Sequence, residues 1–301
     1  TQHTLLVAII SLSVFGVFLA SLLGYWVARV GLWPLRRLSA EAQKLAPPRL
    51  SGRLQQSDLP PELAQFASAF NSTLERVDQA YTRLEAFNAD VAHELRSPLT
   101  NLIGQTQVAL TRGRSAEHYF EVLQSNLEEL ERLRTIINDM LFLASADQGS
   151  KATALTLSSL AEEVAATLDY LDYILEDAQV TVQVSGDAQA PVEKAHLRRA
   201  LINLLNNAVQ HTAPGHVIQV RIEQQDGQIS IAVSNPGPAI DQDHLPMLFE
   251  RFYRVDAART SGGGNHGLGL AIVKAIALMH GGSVFVRSQA GANTFGILLP
   301  R

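Results

Sequence analysis

The chain has 301 residues, 47% of them apolar, a formal net charge of −5 and no cysteine. That length and apolar content suit two or three packed domains. The mild, dispersed charge argues against a nucleic-acid groove and a polyacidic tail, and the missing cysteines exclude disulfides, thiolate catalysis and thiolate-bound metals.

The chain begins at Thr1 and runs almost at once into a hydrophobic segment, which reads as a fragment or a processed product. From Thr4 to Ala28 no residue is charged. Roughly 25 residues at ~1.5 Å each can span a hydrocarbon layer of ~30 Å with tilt, so residues 1–28 are assigned to a transmembrane helix. Arg29, Arg36 and Arg37 come after the segment, whereas a secretory leader carries its basic residues before it. By the positive-inside rule the rest of the chain is cytoplasmic, at an inner membrane, with Tyr25, Trp26 and Trp33 among the lipid headgroups.

Pro34 opens a short amphipathic helix with Leu35, Leu38, Ala42 and Leu45, which ends at Pro47 and Pro48. After a connector with Gly52, Pro60 and Pro61, apolar residues return at alternating three and four spacing. Leu63, Phe66, Phe70, Leu74, Val77, Tyr81 and Leu84 form a coiled-coil-like seam. Helix, connector and helix directly after a membrane exit resemble a HAMP linker, to which residues 29–83 are assigned. No break is expected between Glu62 and Pro98, so a rotation or shift at the membrane can travel along one helix.

The stretch F-N-A-D-V-A-H-E-L-R-S-P-L-T-N-L-I-G, Phe87 to Gly104, continues this helix. Val91, Leu95, Leu99 and Leu102 make a stripe toward a partner helix, while His93 and Ser97, four apart, share another face. Pro98 lacks the N–H owed to the carbonyl of Glu94 and crowds it, so the helix is expected to bend or loosen beside the histidine. A neutral imidazole offers one ring nitrogen as a nucleophile once a hydrogen bond fixes the other, and Glu94 is the nearest partner for that bond. After a turn at Thr111–Ser115, the series Leu123, Leu130, Ile137 and Ala144, joined by Leu133 and Met140, predicts a second helix over 116–146. Two helices per chain cannot bury both stripes. An antiparallel four-helix bundle in a homodimer does so, with His93 exposed on its flank, and residues 84–150 are assigned to it.

From 151 to 301 the pattern changes. Short β-like runs (Val180–Val184, Val217–Ile222, Ile229–Val233, Ser283–Val286, Thr294–Leu299) alternate with helical ones (Leu160–Glu176, His196–His211, Leu270–Met279), which predicts an α/β sandwich. Asn203, Asn207 and His211 fall at i, i+4 and i+8 on a face other than that of Leu197, Leu201, Leu204, Leu205 and Ala208. In G-G-G-N-H-G-L-G-L-A-I-V, Gly262 to Val273, Gly264, Gly267 and Gly269 stand at the mouth of a helix. Glycine lets backbone amides approach phosphate oxygens there, and the helix N-terminus adds a favourable partial charge.

The run H-E-L-R-S-P-L-T closely resembles the phosphoacceptor box of sensor histidine kinases, and the other boxes of that family follow in order. The Asn203–His211 segment resembles the N box, N-P-G-P-A (Asn235–Ala239) the G1 box, L-F-E-R-F-Y-R-V-D (Leu248–Asp256) the F box and the glycine run the G2 box of the Bergerat (GHKL) ATP-binding fold. The resemblance implies a multidomain transmembrane kinase that phosphorylates His93 from Mg-ATP. It would pass the phosphoryl group to an aspartate of a cytoplasmic response regulator and remove it again. It implies that Glu94 orients His93, that Ser97 positions a water for the reverse reaction, and that Asn207 binds Mg²⁺, for which an amide oxygen is a suitable hard ligand. Nucleotide contacts are carried onto Asn203, His211, Asn235, Gly237, Ala239, Tyr253, Arg254, Gly264, His266, Gly267, Leu268 and Gly269.

The G1 box departs from the family's D-x-G-x-G, with Asn235 for the aspartate that accepts from the adenine amino group and Ala239 for the second glycine. Asn keeps an acceptor oxygen but no charge, so the bond is expected to be weaker by ~1 kcal/mol and Asn235→Asp to tighten ATP binding. The N-P-G-P form, the F-Y-R-V-D run and S-N-L-E-E-L-E-R-L together resemble the branch that responds to heavy metals such as copper or silver. Two other functions share parts of this pattern. GHKL ATPases such as gyrase carry a glutamate one turn before the Mg²⁺ asparagine; Asn203 stands there and offers no carboxylate to activate water. An inactive scaffold would use the bundle and linker only to transmit conformation.

Overall fold

The computed structural model describes residues 12–29, 32–33, 61–111, 115–225, 227–255, 266–289 and 291–301. The first helix and connector of the expected linker, the centre of the 111–115 turn, and residues 256–265 with Gly264 lie outside them. The chain divides into two compact units, Thr1–Ala89 and Asp90–Arg301.

In the first unit, helix α1 (Leu12–Arg29) is long and apolar enough to cross a membrane, and none of its residues is buried within the protein. Residues 4–11 of the expected span are outside the described residues. Helix α2 (Pro61–Thr111) begins in this unit and runs for 51 residues, with Pro98 inside it. The missing hydrogen bond at Pro98 does not end it. That is one bond in a long ladder, and the residue is buried, so packing offsets the loss.

In the second unit, α3 (Ala116–Asp147) starts at Ser115, whose side chain accepts from the His118 N–H. Asn126 Nδ2 donates to Thr106 Oγ1 at 3.1 Å and ties α3 to the end of α2. The predicted seam residues Leu123, Leu130 and Ile137 are exposed. Met140, expected to join them, is buried instead with Ile136 and Leu143. It stands four residues from Ile136 and three from Ile137, so it borders both faces of α3, and tertiary packing assigns it to the inner one.

Beyond α3 lies the sandwich. Strand β1 (Thr156–Ser159) pairs antiparallel with β3 (Gln189–Val192), and α4 (Leu160–Asp177) follows β1 directly. The main sheet has the order β2-β4-β5-β7-β6, formed by β2 (Thr181–Ser185), β4 (Val217–Gln225), β5 (Gln228–Gly237), β6 (Ser283–Gln289) and β7 (Gly291–Pro300). Only β2 and β4 run parallel; the other neighbours are antiparallel. Helices α4, α5 (Lys194–Gln210) and α6 (Gly269–Met279) pack side by side, with α5 against β5 and α6 against β6 and β7. Glu163, buried on α4, is held by Lys194 Nζ at 2.8 Å and Arg198 at 3.4 Å, which fastens α4 to α5.

Alternation in the two central strands sets up the site. On β5 the buried positions are Ile229, Ile231, Val233 and then Asn235; on β7 they include Asn293, Phe295, Ile297 and Leu299. Asn235 and Asn293 sit opposite each other in the ladder. Each inward stripe of hydrocarbon therefore ends in an amide, at the same edge of the core.

Candidate nucleotide and phosphoacceptor site

The glycine turn is fixed by contact with the F and N boxes. Gly267 has φ of +70°, and a Cβ there would lie 2.8 Å from the Phe252 backbone. The Phe252 N–H donates to the Gly267 carbonyl at 2.9 Å, which joins the two segments where they pass closest. A Cβ on Gly269 would lie 2.8 Å from Asn203 Oδ1, whose own Nδ2 donates to the Arg199 carbonyl at 2.9 Å. The start of α6 thus touches α5 closely enough that a side chain at Gly269 would have to displace the Asn203 amide. Leu268, the buried cap residue of α6, supplies no side-chain acceptor, so the leading N–H groups of α6 keep their capacity to bind an anion.

The end of the core at the last residues of β5 is built around an amide. Asn235, 2% exposed, donates its Nδ2 to the carbonyls of His211 at 3.4 Å and of Pro236 at 3.2 Å. A carbonyl accepts only from a donor, so these bonds leave Oδ1 as the free end, and it is buried without a partner among the described residues. A buried acceptor left unpaired costs about 1–3 kcal/mol. An amino group from a bound base would remove that cost, so the residues present fit an adenine nucleotide. Asn293, which sequence reasoning missed, donates to the Pro238 carbonyl at 2.9 Å and accepts from Ser288 Oγ at 2.6 Å, holding the loop after β5. Gly237 packs against it, with a Cβ there 3.3 Å from Asn293 Nδ2, while Ala239 is exposed. Asn207 is buried one turn before His211, the C-cap of α5.

Tyr253 spends its hydroxyl on His244 Nδ1 at 2.5 Å. Its neighbour Arg254 is exposed, and its charge reaches His211. Loss of solvent around the His211 ring, and then the Arg254 guanidinium, hold that imidazole below its usual range.

His93 and Ser97 are exposed on α2. Glu94, expected to bond the His93 ring, accepts at Oε2 from His266 Nδ1, 3.3 Å away. Arg132 Nε on α3 donates to His266 Nε2 at 3.0 Å, so Nε2 carries no proton and the ring is the neutral Nδ1–H tautomer. Burial, then the Arg132 charge, hold His266 below the usual imidazole range, against an upward pull from Glu94 and Asp139. Around this contact α3 is pinned to the sandwich. Arg199 meets Asp139 at 2.5 Å and lies 4.2 Å over the Phe142 ring, while Arg251 reaches Asp147 at 2.6 Å and the Leu143 carbonyl at 3.4 Å. Sequence reasoning missed Arg132, Asp139, Arg199 and Arg251 because each looks like a solvated surface charge. The one available signal was Asp139 inside the apolar run I-I-N-D-M-L-F-L.

A pH dependence follows from the two histidines. Their folded-state pKa values lie below the unfolded value near ~6.5, so acid favours the unfolded chain. Their contribution is complete above that value and is lost as pH falls through the lower folded values. Thermal midpoints measured from pH 7.5 down to 5.5 should drop, and drop less steeply in His266→Gln, where the ring facing Arg132, Glu94 and Asp139 is gone. An identical slope in the variant would remove His266 from the effect.

A helical pair carrying an exposed histidine thus packs on an α/β sandwich that holds two buried amides and a helix opening at a glycine. Residues 83–149 match the His Kinase A (phospho-acceptor) domain, and residues 192–301 match the histidine kinase-, DNA gyrase B-, and HSP90-like ATPase domain. The chain belongs to the sensor histidine kinases. It is 44% identical over 268 residues to the sensor histidine kinase CusS of Escherichia coli O157:H7, covering 89% of this chain and 56% of that one. To the sensor protein IrlS of Burkholderia pseudomallei it is 38% identical over 297 residues, 97% of this chain and 64% of the relative. The chain thus spans a little over half the length of the CusS relative. The fold is that of the Acinetobacter baumannii histidine kinase AdeS (TM-score 0.57, 22% identity, 69% of this chain and 97% of that one). It is also that of the histidine kinase ThkA, solved with the response regulator protein TrrA (TM-score 0.58, 22% identity, 74% and 63%).

Proposed function

We propose that the protein acts in a two-component system, transferring the γ-phosphoryl group of ATP to His93 and from there to an aspartate of a response regulator. The observation that carries this reading is the 3.3 Å bond between Glu94, next to the exposed His93, and His266, three residues before the glycine that opens α6. The phosphoacceptor and the phosphate-binding helix end are neighbours in one chain. A His93 ring nitrogen bonds to the γ-phosphorus as the bond to the bridging oxygen breaks and ADP leaves, while Glu94 takes the ring proton. Asn235 and the first N–H groups of α6 would hold the nucleotide, with Arg254 contacting its phosphates. Asn207 would hold Mg²⁺, which when bound offsets phosphate charge. The ThkA–TrrA complex supports a response regulator as acceptor. The exposed row Leu123, Leu130 and Ile137 supports a homodimeric bundle, and α1 supports an inner-membrane location with lipid contact.

Incubation of the full chain with γ-labelled ATP and Mg²⁺ should give acid-labile, base-stable label on the protein. Release of phosphate without protein label would instead favour an ATPase, and neither signal would favour a scaffold.

The reverse reaction should depend on Ser97, exposed one turn beyond His93 on the face where a receiver aspartate must dock. A hydroxyl can donate to and accept from the water that attacks an aspartyl phosphate. Ser97→Ala is expected to leave His93 labelling near normal and to slow loss of phosphate from a phosphorylated regulator about tenfold or more. If both activities fall together, the residue shapes the helix rather than the water.

A further inference from the structure

We propose that His266 is a positioning residue for the phosphoacceptor: its neutral imidazole links Arg132 on α3 to Glu94 on α2, so that seating the start of α6 on the bundle and orienting the carboxylate beside His93 are one event. This rests on the phosphotransfer proposed above and replaces the nucleotide contact that family resemblance assigns to His266. Both ring nitrogens are engaged, Nδ1 donating to Glu94 at 3.3 Å and Nε2 accepting from Arg132 at 3.0 Å. None is left for a phosphate. The ring is 10% exposed, and Gly267 beside it is bolted to the Phe252 backbone, so its place at the head of α6 is fixed.

Glu94 needs such a partner. Adjacent helical residues do not face each other, so a glutamate free to rotate beside His93 has no built-in reason to point at it. Its carboxylate has about four lone-pair sites, and His266 takes one, leaving capacity for the His93 N–H. Arg132 is steadied in turn by Glu129 at 4.0 Å. The chain of contacts therefore reports domain docking to the atom that receives the His93 proton.

The test uses the full chain in nanodiscs. His266→Ala should lower the labelling rate at saturating ATP about tenfold while leaving the ATP dissociation constant unchanged. Arg132→Ala should do the same, and the double variant should be no slower than either single one, because both remove one link. His266→Gln should recover most of the rate, since its amide can accept from Arg132 and donate to Glu94. An Ala variant that loses ATP affinity but keeps its saturating rate makes His266 a nucleotide contact and overturns the proposal. So does an Ala variant that labels faster, or a double variant whose losses add. A wild-type chain that binds ATP yet never labels His93 overturns the phosphotransfer reading itself, and this role with it, before any variant is compared.

Discussion

His93→Gln is expected to abolish acid-labile labelling from γ-labelled ATP while the protein still folds and still binds ATP. The glutamine amide is not a nucleophile at phosphorus, so the loss should be complete, not graded. Folding should hold because His93 is exposed on α2, and surface substitutions away from special features usually stay within about 0.5 kcal/mol. ATP affinity should hold because the residues assigned to the nucleotide come from α5, β5 and the head of α6. Electrophoresis after acid and base treatment, with a thermal melt and a fluorescent-nucleotide titration on the same sample, checks all three. Residual acid-labile label in the variant would move the phosphoacceptor to another residue.

Asn235→Asp should weaken ATP binding, the reverse of what the family pattern implies. Read from the sequence, aspartate restores the usual acceptor of the G1 box and ought to bind the base more tightly. In the fold, Asn235 Nδ2 serves the carbonyls of His211 and Pro236. A carboxylate puts an oxygen where a donor is needed, so two hydrogen bonds are lost and two carbonyls face a negative charge. At ~1 kcal/mol per bond, the arrangement of the loop loses about 2 kcal/mol, and since ATP binding has to restore that arrangement, affinity falls by up to about thirtyfold. Titration of both proteins with ATP decides it, and equal or tighter binding by the aspartate variant would show that the loop re-forms around the carboxylate. GTP serves as the control, since its base offers no amino donor at the adenine position and should be rejected less sharply than in a carboxylate site.

Periodicity and spacing were enough for the long elements. The seam through Leu63, Phe66 and Phe70, the stripe with Leu130 and Ile137, and the glycine turn opening α6 are local patterns, and helices answer to local patterns because their hydrogen bonds span only four residues. The sequence also placed every box in order, since each box is contiguous. Strands β1 and β3 were not visible: T-L-S-S and Q-A-P-V are four residues each, too short to establish a period, and they exist because they pair with each other across α4 and β2. The same holds for the choices between equals. Whether Met140 faces outward or inward, whether the Asn235 amide presents oxygen or nitrogen, and whether His266 serves phosphate or Glu94 depend on atoms far away in the chain. Asn235 is 24 residues from His211, and His266 is 172 from Glu94. A single sequence fixes which groups can donate and accept, but which of them meet is decided only when the sheet, α5, α6 and the bundle pack together, because burial forces each polar group to find a partner from whatever packing brings near.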